Sequence, residues 1–180
     1  AERNKARKAY LKAKPFSTFH LYDFGKLVAF INLIPMKHEA ILEFRKGARG
    51  WMFPTSMIEQ YEPGKRLECI IIDMATITNA PPEKKERYAS TLLYNFSAQL
   101  VMWAEQGIDI KSVDACGGTK DGKKILTRAG FTHTGTFKTA AIGKPDVLVD
   151  RDMYHLDIDN SGLALLQRYK RALERYKQSH

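Results

Sequence analysis

The stretch Leu67–Ile77 constrains this chain more than any other, because its centre, Cys69-Ile70-Ile71-Ile72, is apolar on both faces. A strand of that kind has to lie inside a sheet that is covered above and below. Asn79-Ala80-Pro81-Pro82 breaks it, and a helix is predicted over 86–106. Ala89, Leu92, Leu93, Phe96, Leu100, Trp103 and Ala104 recur on it at helical spacing, and Gly107 follows as the residue that ends it. Ile108–Cys116 then reads as a second strand. Strand, long helix and strand in this order imply two parallel neighbours joined by a right-handed crossover.

The flanks read as antiparallel additions. Residues 1–14 are helix formers stopped by Pro15. Thr18–Phe24 alternates, with Phe19, Leu21 and Asp23 on one face, and Gly25-Lys26 turns it into Leu27–Ile34, which Pro35 is expected to end. Met36, Ala40, Ile41 and Phe44 give a short helix over 36–46. Past the Gly117-Gly118 turn, a helix to Ala129 is stopped by Gly130, and Phe131–Phe137 and Val147–Leu156 form a last antiparallel pair. Ser161 caps a final helix with Leu163, Leu166, Tyr169 or Lys170, Leu173 and Tyr176 as its stripe. The fold class is therefore α/β (α+β): a mixed, mostly antiparallel sheet with a central parallel pair and flanking helices. Its parts are a basic N-terminal helix (1–14), one domain (15–160) and a basic C-terminal helix (161–180).

The chain has 180 residues and a formal charge of +9, placed at its two ends. Arg3, Lys5, Arg7, Lys8, Lys12 and Lys14 oppose Glu2; Arg168, Lys170, Arg171, Arg175 and Lys177 oppose Glu174, which leaves residues 15–160 neutral. Basic ends fit nucleic acid or an acidic partner, and equally two solvated helix faces. The stripe of the last helix needs a cover, from the domain or from a homodimer partner. Cys69 and Cys116 sit in apolar strands and read as free thiols of a reduced, cytoplasmic compartment. No signal peptide and no membrane-length apolar run is visible. The five histidines are dispersed, so no metal site is expected.

Two phrases carry a resemblance. The long helix ends in Trp103-Ala104-Glu105-Gln106-Gly107-Ile108, and the next helix ends in Arg128-Ala129-Gly130-Phe131 before a strand. In that order and spacing they resemble the GNAT family of acyl-CoA N-acyltransferases, over roughly 18–157 and most closely over 67–135. The resemblance implies acetyl-CoA as cofactor and an amine on a small molecule or protein as acceptor. The family's cofactor loop, Arg/Gln-x-x-Gly-x-Gly/Ala, maps onto Lys84, Lys85, Arg87, Tyr88, Ala89, Ser90 and Thr91, with Ile77 at the end of the preceding strand. Such a loop cradles a diphosphate with backbone N–H groups at a helix start. Arg87 stands where the first glycine belongs, so side-chain cations would replace bare backbone.

The resemblance further implies a carboxylate on the strand before the loop as general base, and Asp73 is that residue. The family's tyrosine acid is replaced by Leu126, and Tyr88, Tyr94 or Cys116 are the alternatives. Gly117-Gly118-Thr119-Lys120-Asp121-Gly122-Lys123-Lys124 approaches a nucleotide-binding loop but lacks its final hydroxyl. The family usually begins with a strand and two helices, whereas only residues 1–15 precede Phe16, so the first strand is missing or the chain is part of something larger. Two functions follow: an acyl-CoA-dependent N-acyltransferase, or an inactive module of the same fold that binds protein or nucleic acid through its basic ends.

Overall fold

The computed structural model describes residues 2–13, 18–47, 53–77, 79–141 and 144–158, together with Gln167, Lys170, Arg171, Glu174 and Gln178. In chain order the elements are α1 (Glu2–Ala13), β1 (Thr18–Asp23), β2 (Lys26–Met36), α2 (His38–Arg45), a 3-10 turn (Thr55–Met57) and β3 (Arg66–Thr76). They continue with α3 (Pro82–Glu105), β4 (Asp109–Gly117), α4 (Lys120–Arg128), β5 (Thr132–Ala141) and β6 (Lys144–Asp157). The strands form one sheet in the order β1-β2-β3-β4-β6-β5. Only β3 and β4 pair in parallel; β1–β2, β2–β3, β4–β6 and β5–β6 are antiparallel.

Side-chain alternation gives the sheet two covered faces. Leu33, Cys69, Ile71, Val113 and Ala115 meet Leu92, Phe96, Leu100 and Trp103 of α3. Ile34, Ile70, Ile72 and Met153 meet Ile41 and Phe44 of α2. Trp103 is held between Tyr61, stacked at 4.4 Å, and Phe19, edge-on at 6.3 Å. The N-terminal helix is more than a solvated basic face: Tyr10 is 2% exposed on the α2 side, and its hydroxyl donates to the Phe53 carbonyl while accepting from the Phe53 N–H.

Four expectations need correction. Pro35 does not end β2, which runs on to Met36. The Pro35 carbonyl accepts from the Glu59 N–H (2.9 Å) on the side where β1 pairing ends at Thr18↔Asn32, so no ladder donor is missed there. Conversely α2 begins at His38, because Met36 is still strand. The hairpin turn is Phe24-Gly25, both at positive φ (46° and 75°), rather than Gly25-Lys26. And α3 starts at Pro82, four residues early: Pro81 is its N-cap and Pro82 its first residue, where a missing N–H costs nothing. The apolar stripe expected at Leu163, Leu166, Tyr169, Leu173 and Tyr176 lies outside the described residues, as does Phe16. No described helix is long and apolar enough to cross a membrane.

The α3 face carries the larger share of the core. Phe96→Ala is expected to lower unfolding free energy by about 3–5 kcal/mol, read by chemical denaturation. Leu42→Ala, on the 41% exposed side of α2, should stay within about 0.5 kcal/mol. Equal losses would contradict this placement of the core.

Candidate functional site

The parallel pair does not stay paired. Hydrogen-bonded registration of β3 with β4 stops at Ile71↔Ala115, although β3 continues to Thr76 and β4 to Gly117. Beyond that point each strand follows its outer neighbour: Asp73↔Asn32 to Thr76↔Ala29 on one side, Cys116↔Met153 and Gly117↔Asp152 on the other. The gap is a cleft of about 450 Å³. Ile72, Asp73 and Met74 line one wall, Cys116, Gly117 and Gly118 the other, with Phe44, Leu126, Val149, Asp150 and Arg151 around them.

A bulge aims the first wall. The β2–β3 register shifts between Asn32 and Leu33, which pair with Asp73 and Ile71 and leave Ile72 as the extra residue. Ile72 packs on the α2 side, and Asp73 pairs with Asn32, which alternates onto that same side. Asp73 lies on the strand that the sequence assigned it to, and it lines the cleft wall. Asn32 is 2% exposed, and its Oδ1 has no hydrogen-bond partner among the described residues.

The second wall carries a thiol and a guanidinium. Cys116 is half-buried and free; burial pushes its thiol up, while the Arg151 guanidinium pulls it partway back. Arg151 donates from Nε to the Thr139 hydroxyl at 2.8 Å. Gly117 permits close packing here: a Cβ would sit 2.9 Å from the Tyr154 ring and 3.0 Å from Lys123 Cγ. Leu126 is 3% exposed on the cleft wall and has no proton to give. Of the alternatives named from sequence, only Cys116 lines the cleft.

The residues expected to form a cofactor loop are helical. Lys84, Lys85, Arg87, Tyr88, Ala89, Ser90 and Thr91 occupy the first three turns of α3. The connection is instead the short segment after Ile77, whose N–H is bound to the Val28 carbonyl. At the helix start, Pro81 and Pro82 offer no N–H, and Lys85 N–H already bonds the Pro81 carbonyl. Glu83 and Lys84 thus supply the remaining first-turn amides. Arg87 and Tyr88 face the β1–β2 hairpin: Tyr88 donates to Asp23 Oδ2 at 2.6 Å, and the Arg87 guanidinium lies 3.7 Å from Asp23 Oδ1. The bond to the Asp23 carboxylate holds the Tyr88 phenol above its usual range. Thr91 bonds the Arg87 carbonyl, and Lys84 and Ser90 are exposed.

Sequence reasoning missed a charged cluster just below the parting point. Arg45 at the end of α2 donates two bonds to Asp114 (3.0 and 2.9 Å) and one to Glu68 (3.3 Å). His155 sits 3.0 Å from Asp114, and His38 2.5 Å from Glu68. Asp114 and Glu68 are 2% and 8% exposed, so this cluster ties α2 to both strands of the parallel pair. The available signal was Arg45, one position past Phe44 on the buried stripe of α2, facing a carboxylate inside an apolar strand. Among the described residues no group of His, Cys, Asp or Glu is arranged to hold a metal.

Comparison with solved structures identifies the fold. The chain is similar to a ribosomal-protein-alanine N-acetyltransferase from Brucella melitensis (TM-score 0.52, 14% identity, 87% of this chain and 77% of that one). It is similar to an N-acetyltransferase from Staphylococcus aureus Mu50 (TM-score 0.51, 15% identity, 84% and 75%). It is also similar to the C-terminal condensation domain of Ebony, solved with β-alanyl-dopamine (TM-score 0.51, 12% identity, 86% and 77%). The chain spans 66–81% of the lengths of the structures it matches. No family model matches the sequence. No curated protein matches it either. The fold is the one these N-acetyltransferase structures share, with the parted strand pair at its centre.

The two thiols give a direct check on the cleft. Cys69 is fully buried against α3 and its thiol is pushed far up by burial, whereas Cys116 opens onto the cleft. A maleimide should label Cys116 in the folded protein, faster as pH rises because the thiolate is the nucleophile, and leave Cys69 unmodified until unfolding. Equal labelling of both would contradict the wall assignment.

Proposed function

We propose that this GNAT-fold chain is an N-acyltransferase that moves the acetyl group of acetyl-CoA to an amine held in the cleft between β3 and β4. The observation that supports this most is the parting of the parallel pair after Ile71↔Ala115, which turns two strand edges toward an open groove with a carboxylate on its wall. Unpaired strand edges are hydrogen-bonding surface for an extended chain. The bound thioester would bring an activated acyl carbon. The Ile72–Ile77 edge of β3 would hold its extended arm, and Gly118 leaves room on the opposite wall. Its phosphates would meet Lys84 and Lys85 side chains and the Glu83 and Lys84 amides at the start of α3, where the helix dipole favours anions. Arg87 and Tyr88 would act from one turn further in by fixing the hairpin through Asp23, while Ala89, Ser90 and Thr91 continue the helix behind them. Asp73 would take the proton from the amine. The two free cysteines agree with a reduced, cytoplasmic setting.

A second reading has its own observation. The Pro81-Pro82 helix start offers few amides to a diphosphate, and Leu126 cannot act as an acid. A binding module of the same fold, contacting protein or nucleic acid through its basic ends, would keep the architecture without the donor.

Calorimetric titration with acetyl-CoA separates the two. The enzyme reading predicts micromolar binding, weakened several-fold by Lys84→Ala and unchanged by Asp73→Asn. Asp73→Asn should then lower acyl transfer to primary amines by about a hundredfold or more, the usual worth of a positioned base. No binding, in the wild type or in an Arg87→Ala variant that clears the guanidinium from the helix start, would leave the binding module as the function.

A further inference from the structure

The acceptor side of the cleft carries a cation, Arg151, that makes no ion pair among the described residues. Arg151 lies half-buried on the β6 wall, and its hydrogen-bond partners are neutral groups, the Thr139 hydroxyl and the Cys116 thiol. Among the described residues no carboxylate is within ion-pair distance of it: Asp152 is taken by Lys123 (2.5 Å) and Thr136 (2.7 Å), and Asp114 by Arg45 and His155. Asp150, its chain neighbour, is exposed and makes no ion pair with it. The Thr139 contact fixes Nε, and the weakly accepting Cys116 thiol is the group a ligand would displace from the guanidinium; the two terminal nitrogens form a planar fork, the geometry that matches a carboxylate with two parallel bonds.

Across the groove stands a complementary pair. Asp73 and Asn32 are direct cross-strand partners on the α2 side of the sheet, the side on which Arg151 also falls by alternation from Met153. An amine beside Asp73 would meet a carboxylate and, at Asn32 Oδ1, a buried acceptor that has no donor among the described residues. Burying an unmet acceptor is costly, and a ligand N–H relieves it. Between the two walls the lining includes Phe44, Ile72, Cys116 and Leu126, and its one further charge is the exposed Asp150 beside Arg151.

We propose that the acceptor is an amino carboxylate, a free amino acid or a close relative, bound with its amine at Asp73 and Asn32 and its carboxylate on Arg151. The inference rests on the acyl-transfer reading for what happens next: the amine nitrogen gains the acyl group, the carbon–sulfur bond of the donor breaks, and the proton lost by nitrogen ends on the departing sulfur. Recognition itself needs only this chain's residues. A peptide or protein amino terminus has no carboxylate at that distance and is the class the fork discriminates against.

The test is an NMR titration of the full chain, without donor, against the twenty free amino acids and their carboxamides, run beside the acetyl-CoA calorimetry. At least one amino acid should bind ten times or more tighter than its carboxamide. Arg151→Gln should abolish that difference with the melting temperature preserved. Thr139→Val, which loosens the fork but keeps its charge, should weaken binding and retain the preference. Equal binding of acids and amides, or no binding of any, overturns the inference, even where acetyl-CoA binds and amines are acylated. Selective amino-acid binding without acetyl-CoA binding upholds the carboxylate site and removes the acyltransfer reading instead.

Discussion

The rest of the structure depends on where β3 and β4 stop pairing. Up to Ile71↔Ala115 they are a covered parallel pair, and past it they are the walls of a groove. The transition is sharp because both sides of it are held. Above it, β2 and β6 each draw one strand outward through their own ladders. Below it, the Arg45 guanidinium bridges Asp114 on β4 and Glu68 on β3. Two carboxylates this deeply buried would be unfavourable alone, so α2 is bound to the sheet by electrostatics as well as by Ile41 and Phe44. Phe44 precedes Arg45 and lines the cleft, so the group that staples the strands also sets one wall of the site.

The same arrangement separates two tasks on two faces. The α3 side supplies bulk core and brings the start of a long helix, with its lysines, to the end of β3. The α2 side, through the bulge at Ile72, turns Asp73 toward Asn32 and presents Arg151 and Cys116 opposite. One extra residue in β3 is what allows Ile72 and Asp73 to share a face, and strict alternation would have sent Asp73 to the α3 side.

Much of this was legible in the sequence. The apolar centre of β3, the stripe of α3 and the glycine stops at 107 and 130 define the β–α–β–α middle and the GNAT resemblance. Asp73 was legible as a carboxylate near the end of that strand. Pro81-Pro82 does follow the end of the strand, but proline terminates a strand and begins a helix with equal ease, so the helix starts at Pro82 and takes in Lys84 and Lys85 as well. The Arg45 cluster and Arg151 were not legible. Each is assembled from residues on several elements, and a single charged residue in an alternating strand gives no hint of its partner. The bulge was hidden too, since Ile72-Asp73 looks like ordinary alternation until β2 is laid beside it.

The central claim is that an acyl donor lies in the groove where the parallel strands part. The most direct measurement is an amide NMR map of the protein with a non-transferable acetyl-CoA analogue bearing a ketone in place of the thioester. The account predicts that the largest shifts fall on Ile72–Ile77, Ala115–Gly118 and the first turn of α3, with α1 and the β1–β2 hairpin tip little changed. Shifts confined to the basic α1, or none at saturating analogue, would contradict it.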